Sequence, residues 1–192
     1  KKSVKFIFPI KCPSCGSKTI KEFNTTTKKK DAVRRCSSEG YDCKKISIEK
    51  LKHFVSKDAL NIEGFGKKIV ENFWKLKIIK FPQDIFRLDF DKIEKLEGWG
   101  DLSVKNLKYS INQKKNISLE RFIYALGIRH IGLENAKLLA KYFTSFAKFK
   151  NFSKQSKYEE LLNIDGIGET QANSIKNFFS NITNLKVLTE LD

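Results

Sequence analysis

The stretch Leu60-Asn61-Ile62-Glu63-Gly64-Phe65-Gly66-Lys67-Lys68-Ile69-Val70 reads as the end of one short helix, a Gly-x-Gly turn and the start of a second helix. Glycine adopts positive φ without steric cost, and both Gly64 and Gly66 are read as such positions. On that reading a β-branched residue at Gly66 costs folding as well as binding. The amides after Gly66 lie at a helix N-terminus, where they lack intrahelical partners and the helix dipole favours an anion. Lys67 and Lys68 stand at that point, so a phosphate is the natural guest.

The pattern recurs at Leu96-Glu97-Gly98-Trp99-Gly100 and Ile164-Asp165-Gly166-Ile167-Gly168, with a less regular copy at Ile128-Arg129-His130-Ile131-Gly132. Take the last glycine of each copy as origin. Four positions before it stand Ile62, Leu96, Ile128 and Ile164; one before it, Phe65, Trp99, Ile131 and Ile167. Four after it stand Val70, Val104, Ala136 and Ala172; seven after it, Phe73, Leu107, Leu139 and Ile175. All sixteen are apolar in a chain that is 40% hydrophobic. The +4/+7 spacing places the second helix's apolar residues on one face. This is the pattern of the helix-hairpin-helix motif, which in its families grips the DNA backbone without reading sequence. The origins lie 34, 32 and 36 residues apart. Tetratricopeptide solenoids have a similar period, but their Trp-Leu-Gly-Tyr signature is absent and they need no glycine pair in each turn.

At 192 residues the chain has room for one large or two small domains. Its net charge of +16 favours a polyanionic partner. No apolar run approaches the ~20 residues that span a bilayer, and the basic residues are dispersed rather than gathered on one amphipathic helix. Nucleic acid is therefore the expected partner and a membrane is not. Phe6-Ile7-Phe8-Pro9-Ile10 is too short for the apolar core of a signal peptide. With no methionine anywhere, the chain is expected to be a piece of a longer protein.

All four cysteines fall early, as Cys12-Pro13-Ser14-Cys15-Gly16, then Cys36 and Cys43, a C-x2-C-x20-C-x6-C spacing. A C-x2-C knuckle brings two thiolates to one ion, and a second pair closes a tetrahedron. A segment of about thirty residues with few large apolar groups cannot fold on core burial alone, so a structural zinc would supply its folding energy. Two disulfides would need an oxidising compartment, and a redox C-x-x-C would want a βαβ context; neither is indicated. The insertion carries Lys28-Lys29-Lys30 and Arg34-Arg35, a solvated hairpin tip or a second phosphate contact.

From Ile46 the pattern turns helical, with Ile48, Leu51, Phe54 and Val55 on one face and Ser47 as N-cap. His53 lies beside that face as a surface or boundary residue. Leu76 to Leu88, broken by Pro82, connects the first and second hairpins. The second runs from Asp89 to Ile111. The third runs from Ser118, a helix cap, to Phe143, and the fourth from Tyr158 to Phe179. Residues 144–157 read as a linker whose Phe146, Phe149 and Phe152 pack on helices rather than stack on bases. The domain expectation is a lead-in at 1–10, a zinc finger at 11–45, a helical domain at 46–185 and an exit linker at 186–192.

Cys12-Pro13-Ser14-Cys15-Gly16, Leu51-Lys52-His53-Phe54-Val55-Ser56, Asn61-Ile62-Glu63-Gly64-Phe65-Gly66 and Phe122-Ile123-Tyr124-Ala125-Leu126-Gly127-Ile128-Arg129-His130-Ile131-Gly132 together resemble the bacterial NAD-dependent DNA ligases. The resemblance covers nearly the whole chain. It implies a mainly α fold: a small four-cysteine zinc finger followed by four tandem helix-hairpin-helix motifs. It also implies a bacterial cytoplasmic protein of DNA replication and repair, acting on nicked double-stranded DNA. The sequence departs from the family at the second cysteine pair, where the spacing is usually shorter and a proline follows the last cysteine; here Lys44 follows Cys43.

In that family a K-x-D-G lysine takes AMP from NAD, with magnesium, in a nucleotidyltransferase domain that precedes an OB domain. Here Asp165-Gly166 follows Asn163-Ile164, so the lysine is missing. No GxGxxG follows a strand, and no catalytic carboxylate pair or Ser/His/Asp set stands out, so no catalytic residue is assigned and the fragment alone is expected to be inactive. Zinc is assigned to Cys12, Cys15, Cys36 and Cys43. DNA contacts are assigned to Gly64, Gly66, Lys67 and Lys68; Gly98, Gly100 and Ser103; Arg129 and Gly132; and Gly166, Gly168 and Thr170. Asp101 and Glu169 follow the last glycine of the second and fourth copies and oppose a phosphate, so one of these hairpins is read as serving the fold alone, with Ser103 and Thr170 offering hydroxyls instead. His130 is a packed turn residue or a phosphate contact, and Trp99 is read as packing. The rival readings are a non-enzymatic repair or recombination scaffold with tandem hairpins and a protein–protein adaptor whose charge is incidental.

Overall fold

The computed structural model describes residues 7–24, 28–155 and 157–192. The first six residues of the expected lead-in lie outside these. The chain divides into two compact units between Ser47 and Ile48.

In the first unit, two short antiparallel hairpins are nested. β1 (Thr19–Ile20) pairs with β4 (Arg35–Cys36), and between them in sequence β2 (Phe23–Asn24) pairs with β3 (Lys29–Lys30). Two-residue strands leave little room for a core. Ile10, Phe23 and Val33 are each more than half exposed, at 66%, 56% and 57%. Among the described residues of this unit, those buried are Cys12, Gly40, Tyr41, Cys43 and Ser47.

Helix α1 (Lys44–Phe54) begins directly after Cys43. This corrects the expectation that Ser47 caps the helix from outside. Ser47 sits inside α1, fully buried, and its hydroxyl donates to the carbonyls of Tyr41 and Cys43 at 2.8 and 3.0 Å. A serine that bonds back to the carbonyl four residues earlier is tolerated within a helix.

The second unit is helical. α2 (Lys67–Lys75), α3 (Phe90–Glu94), α4 (Asp101–Gln113), α5 (Leu119–Ala125), α6 (Leu133–Phe143), α7 (Phe146–Phe152), α8 (Glu169–Ser180) and α9 (Ile182–Glu190) follow in order. Of the sixteen repeat positions, thirteen are buried; Leu96, Trp99 and Ile164 are half-buried and still pack on the core. The core is two clusters. One gathers the first and second hairpins around Phe54, Phe65, Phe73 and Ile93. The other gathers the third and fourth around Leu139, Phe149, Ile175 and Phe179. Tyr124 and Leu191 pack against both.

Three further expectations are corrected. Pro82 does not break a helix: α2 has already ended at Leu76, and Pro82 opens a 3-10 helix (Pro82–Arg87), a first-turn position where a missing N–H costs nothing. The linker at 144–157 contains α7, whose cap is Ser145, the Oγ of which accepts the Lys148 amide at 3.3 Å. Phe149 and Phe152 are buried and Phe146 half-buried, so these aromatics do pack on helices. The exit linker at 186–192 lies mostly in α9, which buries Val187 and Leu188 and is tied by Arg87–Glu190 and Lys150–Asp192 ion pairs, both 2.6 Å. Ser118 does occupy the N-cap of α5, but its side chain makes no capping bond.

Candidate metal centre and nucleic-acid interface

The sulfurs of Cys12, Cys15, Cys36 and Cys43 all lie within 4.8 Å of one another. Cys12 and Cys43 form a buried pair 4.0 Å apart; Cys15 and Cys36 form a half-buried pair 3.4 Å apart. Four thiolates about 2.3 Å from a tetrahedral ion stand about 3.8 Å from each other, so the cluster fits such an ion. Each sulfur is placed by a different local device. The first knuckle is closed by the Gly16 amide on the Cys12 carbonyl (2.8 Å), with Gly16 at φ +76°, and by the Cys12 amide on the Ser17 carbonyl (2.7 Å). Cys36 ends β4. Cys43 precedes the first turn of α1, where a helix N-terminus favours a thiolate. Hydrogen bonds with Ser17 and Ser38 draw the Cys15 thiol down to about 5, towards the ionised form that a metal takes. The long Cys36–Cys43 spacing thus replaces a second tight knuckle with a loop and a helix start. Sequence reasoning missed Ser17 and Ser38, since a serine beside a cysteine carries no signal until the fold brings the two together.

The four hairpins share one backbone design. The amide one residue before each origin glycine donates to the carbonyl four before it: Phe65 to Ile62 (3.2 Å), Trp99 to Leu96 (3.1 Å), Ile131 to Ile128 (3.1 Å) and Ile167 to Ile164 (2.9 Å). The third residue of each turn has positive φ: Gly64 (+76°), Gly98 (+81°), His130 (+59°) and Gly166 (+88°). That is the dihedral demand of a type II turn. The irregular third copy therefore keeps the turn with histidine in the left-handed region.

The origin glycines are different, and here the expectation for Gly66 is overturned. Gly66 has φ −73° and ψ 171°, extended backbone open to any residue, and is the N-cap of α2. Gly100, Gly132 and Gly168 cap α4, α6 and α8 in the same way, with φ of −132°, −83° and −101°. A Cβ built on Gly66, Gly100 or Gly132 would meet nothing within 4 Å, and one on Gly168 only the tip of Gln171 at 3.4 Å. All four are exposed.

The caps divide by what meets the glycine amide. In the second hairpin the Gly100 N–H donates to Ser103 Oγ (3.0 Å), while the Ser103 hydroxyl donates to the Gly100 carbonyl (2.7 Å). The single proton of Ser103 is thereby committed, against its assignment as a phosphate donor. In the fourth, the Gly168 N–H donates to Gln171 Oε1 (3.2 Å), and Thr170 is exposed. In the first hairpin the corresponding residue is Ile69, which has no acceptor, and Lys67 and Lys68 are exposed. In the third it is Asn135, whose amide donates to the His130 carbonyl (3.1 Å) beside exposed Arg129. Asp101 is held by Lys105 at 2.7 Å. Trp99 lies 5.5 Å from Phe73, ring to ring, in the core. His53 bonds through Nε2 to the Tyr124 carbonyl at 2.7 Å and stacks edge-on with that ring.

A family model described as a helix-hairpin-helix motif matches residues 121–188, the third and fourth hairpins. The chain is 68% identical over 190 residues, 99% of its length, to a protein named DNA ligase from Pelagibacter ubique. It is 43% identical over 202 residues to a DNA ligase of Parvibaculum lavamentivorans, and 44% identical over 192 residues to one of Wolbachia pipientis, covering 97% of this chain in each case. In all three it spans 28% of the length of the relative.

Proposed function

Proceeding from its homology, along nearly its whole length, to a segment of proteins named DNA ligase, we propose that this chain is the part of an NAD-dependent DNA ligase that holds duplex DNA by its phosphates around a nick. One observation carries the reading. The fold has no steric use for a glycine at positions 66 and 132, the caps without a capping box, yet glycine stands at both. Serine or aspartate would cap these helices better. A partner whose backbone comes within hydrogen-bonding distance of the amide accounts for the missing side chain, and a helix N-terminus with adjacent lysines suits a phosphate. Phosphate contacts position a duplex without reading its sequence.

The first hairpin is the strongest grip, through the open Gly66, Lys67 and Lys68 amides and two lysine side chains. The third adds Arg129. The second and fourth present amides already met by their own side chains, followed by a carboxylate, and serve the fold first. A structural zinc held by Cys12, Cys15, Cys36 and Cys43 supports the strand-poor first unit. Nucleotidyl transfer from NAD, with magnesium, belongs to the catalytic domain of the full-length protein, which also carries an OB domain and works in the bacterial cytoplasm in replication and repair.

The test is fluorescence anisotropy of the zinc-loaded chain on nicked and intact duplexes of one sequence, titrated over salt. The expected result is binding that ignores base sequence and falls steeply with salt, as release of several counterions requires. Absence of binding at low salt would remove the proposal.

A further inference from the structure

The half-buried side of the cysteine cluster is built around one residue. Ser38 directs its amide at Cys36 Sγ (3.4 Å), and its Oγ lies 3.4 Å from Cys15 Sγ. The same oxygen is 2.9 Å from Ser17 Oγ. Ser17 is itself fixed, because its carbonyl accepts the Cys12 amide of the first knuckle. Ser38 thus touches both sulfurs of the Cys15–Cys36 pair, one through its amide and one through its hydroxyl, and ties them to the knuckle of the other pair. Cys12 and Cys43 are shielded by burial, at 9% and 1% exposure. Cys15 and Cys36 are open enough for water to compete.

Resting on the zinc reading above, we propose that Ser38, backed by Ser17, is a positioning residue of the metal centre: its amide and hydroxyl hold Cys36 and Cys15 for the ion, in place of the second tight knuckle that the six-residue gap between Cys36 and Cys43 does not provide. Groups of this kind around metal ligands change affinity by roughly 10–100-fold when removed. Ser38→Ala keeps the amide and deletes only the hydroxyl; Ser38→Thr keeps both.

The experiment uses the full chain and measures zinc affinity by competition with a chromophoric chelator, alongside the sulfur-to-cobalt charge-transfer band of the cobalt-loaded protein. The expected result is a loss of roughly 10–100-fold for Ser38→Ala with a shifted charge-transfer band, a smaller loss for Ser17→Ala, and near-native behaviour for Ser38→Thr. Native affinity and an unshifted band in Ser38→Ala overturn the inference. So does an equal loss in Ser38→Thr, which would mark a loop effect. A native chain that takes up no zinc overturns the metal reading itself, and is seen before any variant is made.

Discussion

The first and second hairpins have the same backbone and opposite surfaces. In both, the residue before the origin glycine closes the turn onto the residue four before it, at 3.2 and 3.1 Å, and the +4 amide reaches the origin carbonyl at 3.1 Å. Both bury the +4 and +7 side chains: Val70 and Phe73 in one, Val104 and Leu107 in the other. Beyond the glycine they part. One continues Lys67-Lys68-Ile69 with an open cap, the other Asp101-Leu102-Ser103 with the cap amide taken by Ser103. The core fixes the inward positions of a repeat and leaves the two residues after the glycine exposed, Lys67 and Lys68 in one and Asp101 and Leu102 in the other. A hairpin can therefore be kept for packing after its anion grip has gone.

The largest way to break this contrast is charge reversal in the first hairpin. Lys67→Glu with Lys68→Glu is expected to weaken duplex binding by on the order of 100-fold at low salt, and to lower the salt slope by about two. The melting temperature should hold, since both side chains are exposed. Unchanged affinity in the folded double variant would place the grip elsewhere.

The two glycines of one turn offer a sharper cut. Gly64 stands at φ +76°, so Gly64→Ala is expected to cost ~1–2 kcal/mol of stability. Gly66 stands at φ −73° with open space, so Gly66→Ala meets no dihedral strain and is expected to cost less stability than Gly64→Ala, about 0.5 kcal/mol for alanine's poorer fit at an N-cap. Its larger cost should fall on duplex affinity, at roughly tenfold, ~1.4 kcal/mol. Thermal melts and anisotropy on the pair test this. Native binding by Gly66→Ala would leave the glycine without a partner to explain it.

This pair also marks what could be read without coordinates. The hairpins were legible because packing imposes a spacing: sixteen apolar positions at fixed offsets leave few alternatives to four repeats. The role of each glycine was not. Sequence shows the glycine pair in three of the four copies, while only backbone dihedrals separate Gly64, held by the turn, from Gly66, which the turn does not require. α7 was hidden because Phe146, Phe149 and Phe152 at a spacing of three, among lysines, looked like a sticky linker; their burial makes it a helix. α9 was missed since a short apolar stretch at the end of a sequence has no visible partner until the core appears. The four cysteines were legible as ligands from their count and first spacing. Ser38, which touches two of them, was not.

The smallest effect is the most direct comparison, because it moves the second hairpin towards the first. Asp101→Asn removes the carboxylate that follows the cap and leaves the Ser103 bonds in place. It also releases Lys105, now held at 2.7 Å. An exposed pair of this kind contributes at most about 1 kcal/mol, so stability should hardly move. Duplex affinity should rise by a few-fold at low salt and return to the native value as salt screens the site over about 8 Å near physiological ionic strength. A rise that disappears with salt means the second hairpin lies close enough to phosphate to feel one charge, even though its own amide is occupied. No rise at any salt means that it faces away from the duplex, and the grip is then left to the first and third hairpins.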